Sequence, residues 1–132
     1  MDCSLLSLDF KNKTLSYSAA NNPVLIVRKN EMIVCSPDKM PVGKHDKDNI
    51  PFTKHTIELQ QGDVIYTLTD GMPDQFGGPN GKKFMIKRLK ELLVSIAPLP
   101  MEEQKEMIKT TLNDWKSGNE QVDDVCLIGI KI

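Results

Sequence analysis

The first seventy residues alternate between short apolar segments and turn residues, a pattern typical of an antiparallel meander. Strands are predicted at residues 4–9, 14–19, 24–28, 32–35, 52–59 and 64–69. Three prolines, Gly43 and a run of polar residues predict a long loop at residues 36–51. Apolar and polar side chains alternate in the second half of the 52–59 segment, as expected for a strand with one buried face.

The hydrophobic period changes after Gly71 from that of a strand to that of a helix. An amphipathic helix is predicted at residues 83–97 and ends before Pro98. A second helix begins near Pro100, with Gly118 as its predicted C-cap. Its predicted buried side chains are Met101, Ile108, Leu112 and Trp115. The apolar segment 125–132 predicts a last strand inside a sheet rather than at its edge. This order indicates an α+β fold in which a helix pair packs on one face of a mostly antiparallel sheet.

Composition narrows the class of protein. With 132 residues, 39% hydrophobic and 27% charged, the chain has the balance of one globular domain or a large piece of one. A net charge of −1 gives no basic field, so neither nucleic acid nor anionic lipid is an expected partner. No apolar run approaches the roughly 18–20 residues that span a bilayer, and a cytoplasmic location is expected. Three widely spaced cysteines, Cys3, Cys35 and Cys126, predict buried reduced thiols rather than disulfides or a zinc site.

Acidic residues stand at the ends of two predicted strands. Asp70 follows the strand at residues 64–69, and Asp123 and Asp124 precede the last strand. If these strands are antiparallel neighbours, Asp70 lies close to Asp123. Converging carboxylates repel one another, which a cation relieves, and oxygen ligands suit Mg²⁺ or Mn²⁺. The alternative is that each aspartate caps a turn. Spacing alone slightly favours that simpler explanation.

Two longer motifs resemble a known family. The segments YTLTDGMPDQFGGPNGKKF and QVDDVCLIGIKI are similar to the C-terminal part of SpoIIE-type serine phosphatases, in the metal-dependent (PPM, protein phosphatase 2C-like) superfamily. Upstream, LDFKNKTLSYSAANNPVLIVR, DKMPVG and IELQQGDVIYTLTDG follow the family's order, so the resemblance covers almost the whole chain. It implies a PPM-type β-sandwich, of which residues 1–132 are the C-terminal part and the N-terminal part is absent.

The resemblance also implies a site and a reaction. It identifies Asp70 and Asp123 as the catalytic metal-binding aspartates, with Gly71 and Asp124 beside them and Asp74 near an additional ion. Two Mn²⁺ or Mg²⁺ ions would activate a water that hydrolyses phosphoserine or phosphothreonine. The implied substrate is a phosphorylated regulatory protein, such as an anti-sigma-factor antagonist, in bacterial-type signal transduction. Family members often carry sensor or helical-repeat domains upstream, and any membrane anchor would lie in such domains.

The chain departs from the family pattern in two places. Ala20, Asn21 and Asn22 stand where many relatives have Ala-Gly-His. The family's other metal-binding carboxylate and its Asp-Gly motif are not found, so the isolated chain is expected to be inactive. The alternative function is a non-catalytic, phosphatase-like interaction module that binds a regulator or self-associates as a homodimer through an exposed sheet.

Two further motifs carry less weight. The glycine-rich segment 77–83 is one residue too short for a phosphate-binding P-loop, and Lys83 stands where Ser or Thr is needed. It is expected to be a flexible turn, with a lesser option that Lys82 or Lys83 meets the substrate phosphate or an acidic partner. His45, with Asp46 and Asp48, is expected to lie in a solvated polar loop rather than in a metal site.

Overall fold

The computed structural model describes residues 1–46 and 49–132. Its elements are β1 (Cys3–Asp9), β2 (Thr14–Ala20), β3 (Val24–Arg28), β4 (Glu31–Cys35), β5 (His55–Glu58), β6 (Val64–Leu68), α1 (Gly71–Asp74), β7 (Phe76–Gly77), β8 (Lys82–Lys83), α2 (Ile86–Ile96), α3 (Met101–Lys116) and β9 (Leu127–Lys131). In these described residues no helix is long and apolar enough to cross a bilayer.

Two antiparallel sheets form the centre of the molecule. One has the strand order β1-β2-β5 and the other β4-β3-β6-β9, while β7 and β8 form a separate small hairpin. Successive side chains of β3 point to opposite faces, as the period of a strand requires. Val24 and Ile26 join Leu15 and Tyr17 of β2 in one core, between the two sheets. Because Leu25 and Val27 on the opposite face are buried as well, β3 is covered on both sides.

The helices cover the other face of the four-stranded sheet. Leu25 and Val27 of β3 pack there in a second core, which Leu89, Leu93 and Ile96 of α2 complete. The layers are thus helices, four-stranded sheet and three-stranded sheet. The predicted α+β class, a mostly antiparallel sheet with a helix pair on one face, is confirmed.

The predicted strand at residues 52–59 is half as long as expected. Only His55–Glu58 pairs with β2. The carboxylate of Asp38 accepts hydrogen bonds from the Thr53 N–H at 2.8 Å and the Thr53 hydroxyl at 3.0 Å. A loop side chain thus takes the place of the strand ladder before His55, which the sequence pattern does not reveal.

The helix boundaries also differ from the prediction. The first long helix begins at Ile86 rather than residue 83, because Lys82–Lys83 forms β8 and Met85 has a φ of 74°. Ser117, not Gly118, takes the left-handed C-cap position of α3, with a φ of 43°. The four apolar residues predicted to be buried in α3 are partly buried against the core, and its fully buried side chain is the unpredicted Gln104.

The last strand lies at a sheet edge, so its prediction as an inner strand is wrong. β9 pairs with β6 alone among the described strands, and Ile128 is 54% exposed. The run is apolar because both faces of β9 are partly covered: Leu127 packs on the helix side and Ile130 on the side of the second sheet. Burial of the faces leaves the hydrogen-bonding edge open.

The cysteines follow their prediction in part. All three are free thiols, and Cys35 is buried. Cys3 and Cys126 are exposed, so the expectation of burial is wrong for these two. Both stand in or next to outer strands, where side chains on one face meet solvent.

Candidate metal centre

The pairing of β6 with β9 determines where the acidic residues lie. Five antiparallel pairs run from Val64 opposite Lys131 to Leu68 opposite Leu127. The predicted antiparallel pairing of these strands is therefore confirmed. Asp70 comes two residues after β6 and Asp123 four residues before β9, so both leave the ladder at the same end of the sheet.

Thr69 holds the two chains together just beyond the ladder. Its N–H donates to the Cys126 carbonyl at 2.9 Å. Its hydroxyl accepts from the Cys126 N–H at 2.9 Å and donates to the Asp124 carbonyl at 2.9 Å. The Thr69 side chain thus replaces part of a strand ladder where the strands separate. It holds the backbone of Asp124 next to Thr69, the residue that directly precedes Asp70.

Gly71 allows a close contact with the backbone of Asp124 at this end of the sheet. It is buried, and a Cβ at this position would overlap the carbonyl oxygen of Asp124. A side chain would therefore push the turn that carries Asp70 away from the segment that carries Asp123 and Asp124. Three successive residues thus have three functions at this point. Thr69 hydrogen-bonds the neighbouring segment, Asp70 presents an exposed carboxylate, and Gly71 allows a close backbone contact.

The side chain of Asp70 is not used as a helix cap. Asp70 occupies the N-cap position of α1 and is exposed, but its carboxylate makes no capping hydrogen bond. Asp123 is also exposed, and its Oδ1 accepts a hydrogen bond from the Asp124 N–H at 2.7 Å. The turn-capping explanation therefore holds in part for Asp123 and does not hold for Asp70.

Asp74 has a cationic partner within the chain. The Lys83 Nζ lies 3.0 Å from the Asp74 Oδ1, and both side chains are 44% exposed. The same ammonium stands 5.8 Å above the ring centre of Phe76. The predicted turn lies at residues 78–81, and the pairing of β7 with β8 on either side of it carries Lys83 back to α1.

Sequence reasoning missed Gln75, a fully buried glutamine directly after α1. Its side-chain amide donates to the Glu120 carbonyl at 2.9 Å and accepts from the Val122 N–H at 3.4 Å. Its own carbonyl accepts from the indole N–H of Trp115 at 3.0 Å. No period or motif marks Gln75 as buried, since Trp115, Glu120 and Val122 lie 40 or more residues away along the chain.

Three acidic residues lie at this end of the sheet, next to the β6–β9 ladder. The residues 1–46 and 49–132 contain no group of three or more His, Cys, Asp or Glu side chains that could hold an ion. Asp70, Asp123 and Asp124 are exposed carboxylates of the type that Mn²⁺ and Mg²⁺ prefer, but such ions take about six ligands. The donors fit these ions in chemistry and are too few in number. Asp48, the third member of the polar loop with His45 and Asp46, lies outside the described residues.

Comparison with family models gives a family for this chain, and comparison with solved structures gives its fold. A family model described as stage II sporulation protein E (SpoIIE) matches residues 1–132. The SiaA-PP2C domain of Pseudomonas aeruginosa superposes with a TM-score of 0.92 at 24% identity, over 99% of this chain and 51% of that one. None of the curated proteins compared with the chain matches it.

Two further solved structures are similar to the chain. The phosphatase domain of SpoIIE from Bacillus subtilis, presoaked with Mn, has a TM-score of 0.67 at 15% identity, over 100% of this chain and 56% of that one. The catalytic domain of the serine/threonine phosphatase PstP, in complex with two manganese ions, has a TM-score of 0.59 at 16% identity, with coverages of 98% and 58%. The chain thus spans just over half the length of each of these structures.

Proposed function

The chain belongs to the SpoIIE family of PPM-type phosphatase domains, and we propose from this membership that it is the C-terminal part of a metal-dependent protein serine/threonine phosphatase domain. The observation that carries the proposal is the antiparallel β6–β9 pairing, which brings Asp70 and Asp123 to one end of a sheet. Thr69 and Gly71, on either side of Asp70, both contact the backbone of Asp124 and so hold the two segments together.

In this proposal Asp70 and Asp123 hold the ions, with Gly71 and Asp124 as neighbouring donors. When bound, Mn²⁺ or Mg²⁺ would lower the pKa of a water nucleophile and neutralise charge on the phosphoryl oxygens. The residues of this chain position the donors: Thr69 holds the Asp124 backbone, and Gly71 lets the two segments meet. Asp74 would share its carboxylate between an additional ion and Lys83, whose Nζ lies 3.0 Å from Oδ1.

The substrate proposed is a regulatory protein that carries phosphoserine or phosphothreonine, such as an anti-sigma-factor antagonist. Family resemblance supports this class, and the net charge of −1 gives no reason to expect nucleic acid instead. Sensor or helical-repeat domains before the phosphatase part belong to the same proposal.

Residues 1–132 are proposed to lack the other metal ligands, which the remaining part of the domain would supply. The small number of carboxylates at the end of the β6–β9 ladder supports this. The chain also covers only about half of the length of the similar structures. We therefore expect the chain alone to be inactive with Mn²⁺ on a phosphoserine peptide, and a polypeptide extended to the whole domain to be active.

The experiment compares the two polypeptides, with Asp70→Asn in the extended one as the variant. Turnover that depends on Mn²⁺ and falls at least about a hundredfold in Asp70→Asn supports the proposal; a loss of that size is about 2.7 kcal/mol. Strong Mn²⁺-dependent turnover by residues 1–132 alone would contradict the proposal that this chain lacks the other metal ligands. Unchanged turnover in Asp70→Asn would contradict the assignment of the site.

A second candidate function is a non-catalytic interaction module, which the open side of β9 favours. A groove of about 520 Å³ lies between α3 and β9, next to the edge that has no partner among the described strands. Its apolar lining includes Met101, Ile108, Leu112 and Leu127. An unpaired edge beside an apolar groove is a surface that another strand or a second copy covers.

We expect residues 1–132 alone to dimerise through the unpaired edge of β9, which carries the exposed Ile128. Sedimentation of Ile128→Lys, which adds charge at the exposed edge, should shift the mass toward the monomer. A stable monomer before any substitution would contradict self-association. An extended polypeptide that binds a regulator but has no phosphatase activity would favour the interaction module over the enzyme.

A further inference from the structure

Gln75 joins the two segments that carry Asp70 and Asp123. It follows α1 directly, and α1 is a single turn about 6 Å long that begins at the Asp70 N-cap. The Asp74 N–H donates to the Asp70 carbonyl at 2.9 Å, which closes this turn. Gln75 is therefore rigidly connected to Asp70 through one hydrogen-bonded turn.

The segment before Asp123 has no secondary structure of its own. Residues 119–126 lie between α3 and β9 and belong to no helix or strand. Two bonds from the Gln75 side chain reach them: Nε2 donates to the Glu120 carbonyl at 2.9 Å, and Oε1 accepts from the Val122 N–H at 3.4 Å. Val122 is the residue directly before Asp123.

An amide side chain suits this position for a chemical reason. The Glu120 carbonyl needs a donor and the Val122 N–H needs an acceptor, and a glutamine amide provides both. Gln75 has no exposed surface, so a lost partner cannot be replaced by bulk water. The Gln75 carbonyl is in turn held by the Phe84 N–H at 2.9 Å and the Trp115 indole at 3.0 Å.

From these contacts we infer that Gln75 is a positioning residue, which sets the place of Asp123 relative to Asp70 and so tunes metal affinity without touching the ion. The inference rests on the proposed function for its metal and on the contacts above for its geometry. Groups that orient metal ligands from behind commonly change metal affinity by about 10–100-fold when they are replaced.

Gln104 offers a matched control because it is a second buried glutamine with a different task. It accepts a hydrogen bond from the Tyr66 hydroxyl at 2.5 Å and donates to the Leu99 carbonyl at 2.9 Å. None of these partners belongs to the 119–126 segment. Gln75→Met and Gln104→Met therefore remove comparable buried amides, and only the first releases the segment that carries Asp123.

The experiment uses the polypeptide extended to the whole domain and titrates Mn²⁺ into each variant by calorimetry. Gln75→Met is expected to raise the Kd for Mn²⁺ about 10–100-fold, and Gln104→Met to leave it within about twofold, at similar losses of thermal stability. Gln75→Asn, whose shorter amide cannot span both partners, is a second variant should Gln75→Met not fold. An unchanged Kd in the Gln75 variants, or an equal rise in Gln104→Met, would overturn the inference.

Amide hydrogen exchange without metal separates this inference from the proposed function. Faster exchange at Val122 and Asp124 in the Gln75 variants, but not in Gln104→Met, supports the positioning role. Unchanged exchange there would refute it. If the unaltered polypeptide binds no Mn²⁺, the proposed function is contradicted, while the exchange result still decides whether Gln75 holds the segment.

Discussion

The hydroxyl of Thr69 accepts a hydrogen bond from the N–H of Cys126 at 2.9 Å. This side chain to backbone bond continues the contact of β6 with β9 for one step beyond their ladder, which ends at Leu68 and Leu127. The same hydroxyl donates to the carbonyl of Asp124. One threonine thus connects the strand that leads to Asp70 with the segment that contains Asp123 and Asp124.

Replacing Thr69 tests this connection. Thr69→Val keeps the shape of the side chain and removes both hydroxyl bonds, so we expect a loss of about 1–2 kcal/mol in the free energy of unfolding, measured with urea. Thr69→Ser keeps the hydroxyl and is the control, with a smaller loss expected. Equal stability of Thr69→Val and the unaltered chain would show that the hydroxyl does not hold the strands together.

Tyr66 gives the fold a dependence on high pH. Burial raises the pKa of Tyr66 to about 12, against about 10 in an unfolded chain. The unfolded state therefore loses its proton first, and the stability that this group contributes is complete below pH 10 and is lost as the pH rises toward 12. Tyr66→Phe should reduce this decline by roughly 2 kcal/mol.

The measurement is urea unfolding at pH 8, 10 and 11.5 for the unaltered chain and Tyr66→Phe. At pH 8 the variant should be less stable by about 1–3 kcal/mol, because Gln104 loses its partner inside the core. Burial also raises the pKa of Tyr17, so part of the decline persists in the variant. If the free energies of unfolding of the two proteins fall in parallel above pH 10, Tyr66 is not a source of the loss of stability at high pH.

The ion pair between the partly exposed Arg28 and the buried Asp63 gives a dependence on low pH. Arg28 Nε and Nη2 bind the two carboxylate oxygens at 2.9 and 2.6 Å, and the Asp63 side chain is 1% exposed. Burial alone would raise the pKa of Asp63, but the bonds from Arg28 and from the Gln60 N–H outweigh it and hold that pKa below its ordinary value. Its contribution to stability is present above about pH 3.9 and is lost as the pH falls through the lower folded value.

Arg28→Met removes the cation and leaves a buried carboxylate, so a loss of about 3 kcal/mol is expected at pH 7. The difference in the free energy of unfolding, measured with urea, should shrink as the pH falls below about 3.9, because protonation of Asp63 removes the ion pair from the unaltered chain and the unpaired charge from the variant. Lys105→Met, which breaks an exposed ion pair with Glu102, is the control and should change little. A difference between Arg28→Met and the unaltered chain that is the same at pH 7 and pH 3 would contradict this account.

Local patterns predict the strands and helices well where burial follows the period of an element. β3 and β6 are apolar because both their faces are covered, and α2 shows its buried stripe directly in the sequence. The antiparallel pairing of β6 with β9 enters the sequence argument only as a condition, which the structure meets. The metal-binding roles of Asp70, Gly71, Asp74, Asp123 and Asp124 stay predictions, because the fold brings their segments together without testing their chemistry.

Features that depend on distant contacts could not be predicted. The edge position of β9 depends on which strands are neighbours, and its sequence is equally apolar in either place. Gln75 and Gln104 are buried by partners far along the chain or in a bend between helices, so they resemble ordinary surface glutamines in the sequence. The pair of Asp74 with Lys83 depends on the small hairpin, which is too short to show a strand period.

The central claim is that the carboxylates of Asp70 and Asp123 bind the same metal centre. The direct measurement is calorimetric titration of Mn²⁺ into the polypeptide extended to the whole domain, unaltered and with Asp70→Asn, Asp123→Asn or, as the control, the exposed Asp114→Asn on α3. We predict that Asp70→Asn and Asp123→Asn each raise the Kd at least about tenfold, or ~1.4 kcal/mol, while Asp114→Asn leaves it unchanged. Binding of Mn²⁺ with unaltered affinity after either Asp70→Asn or Asp123→Asn would contradict the claim.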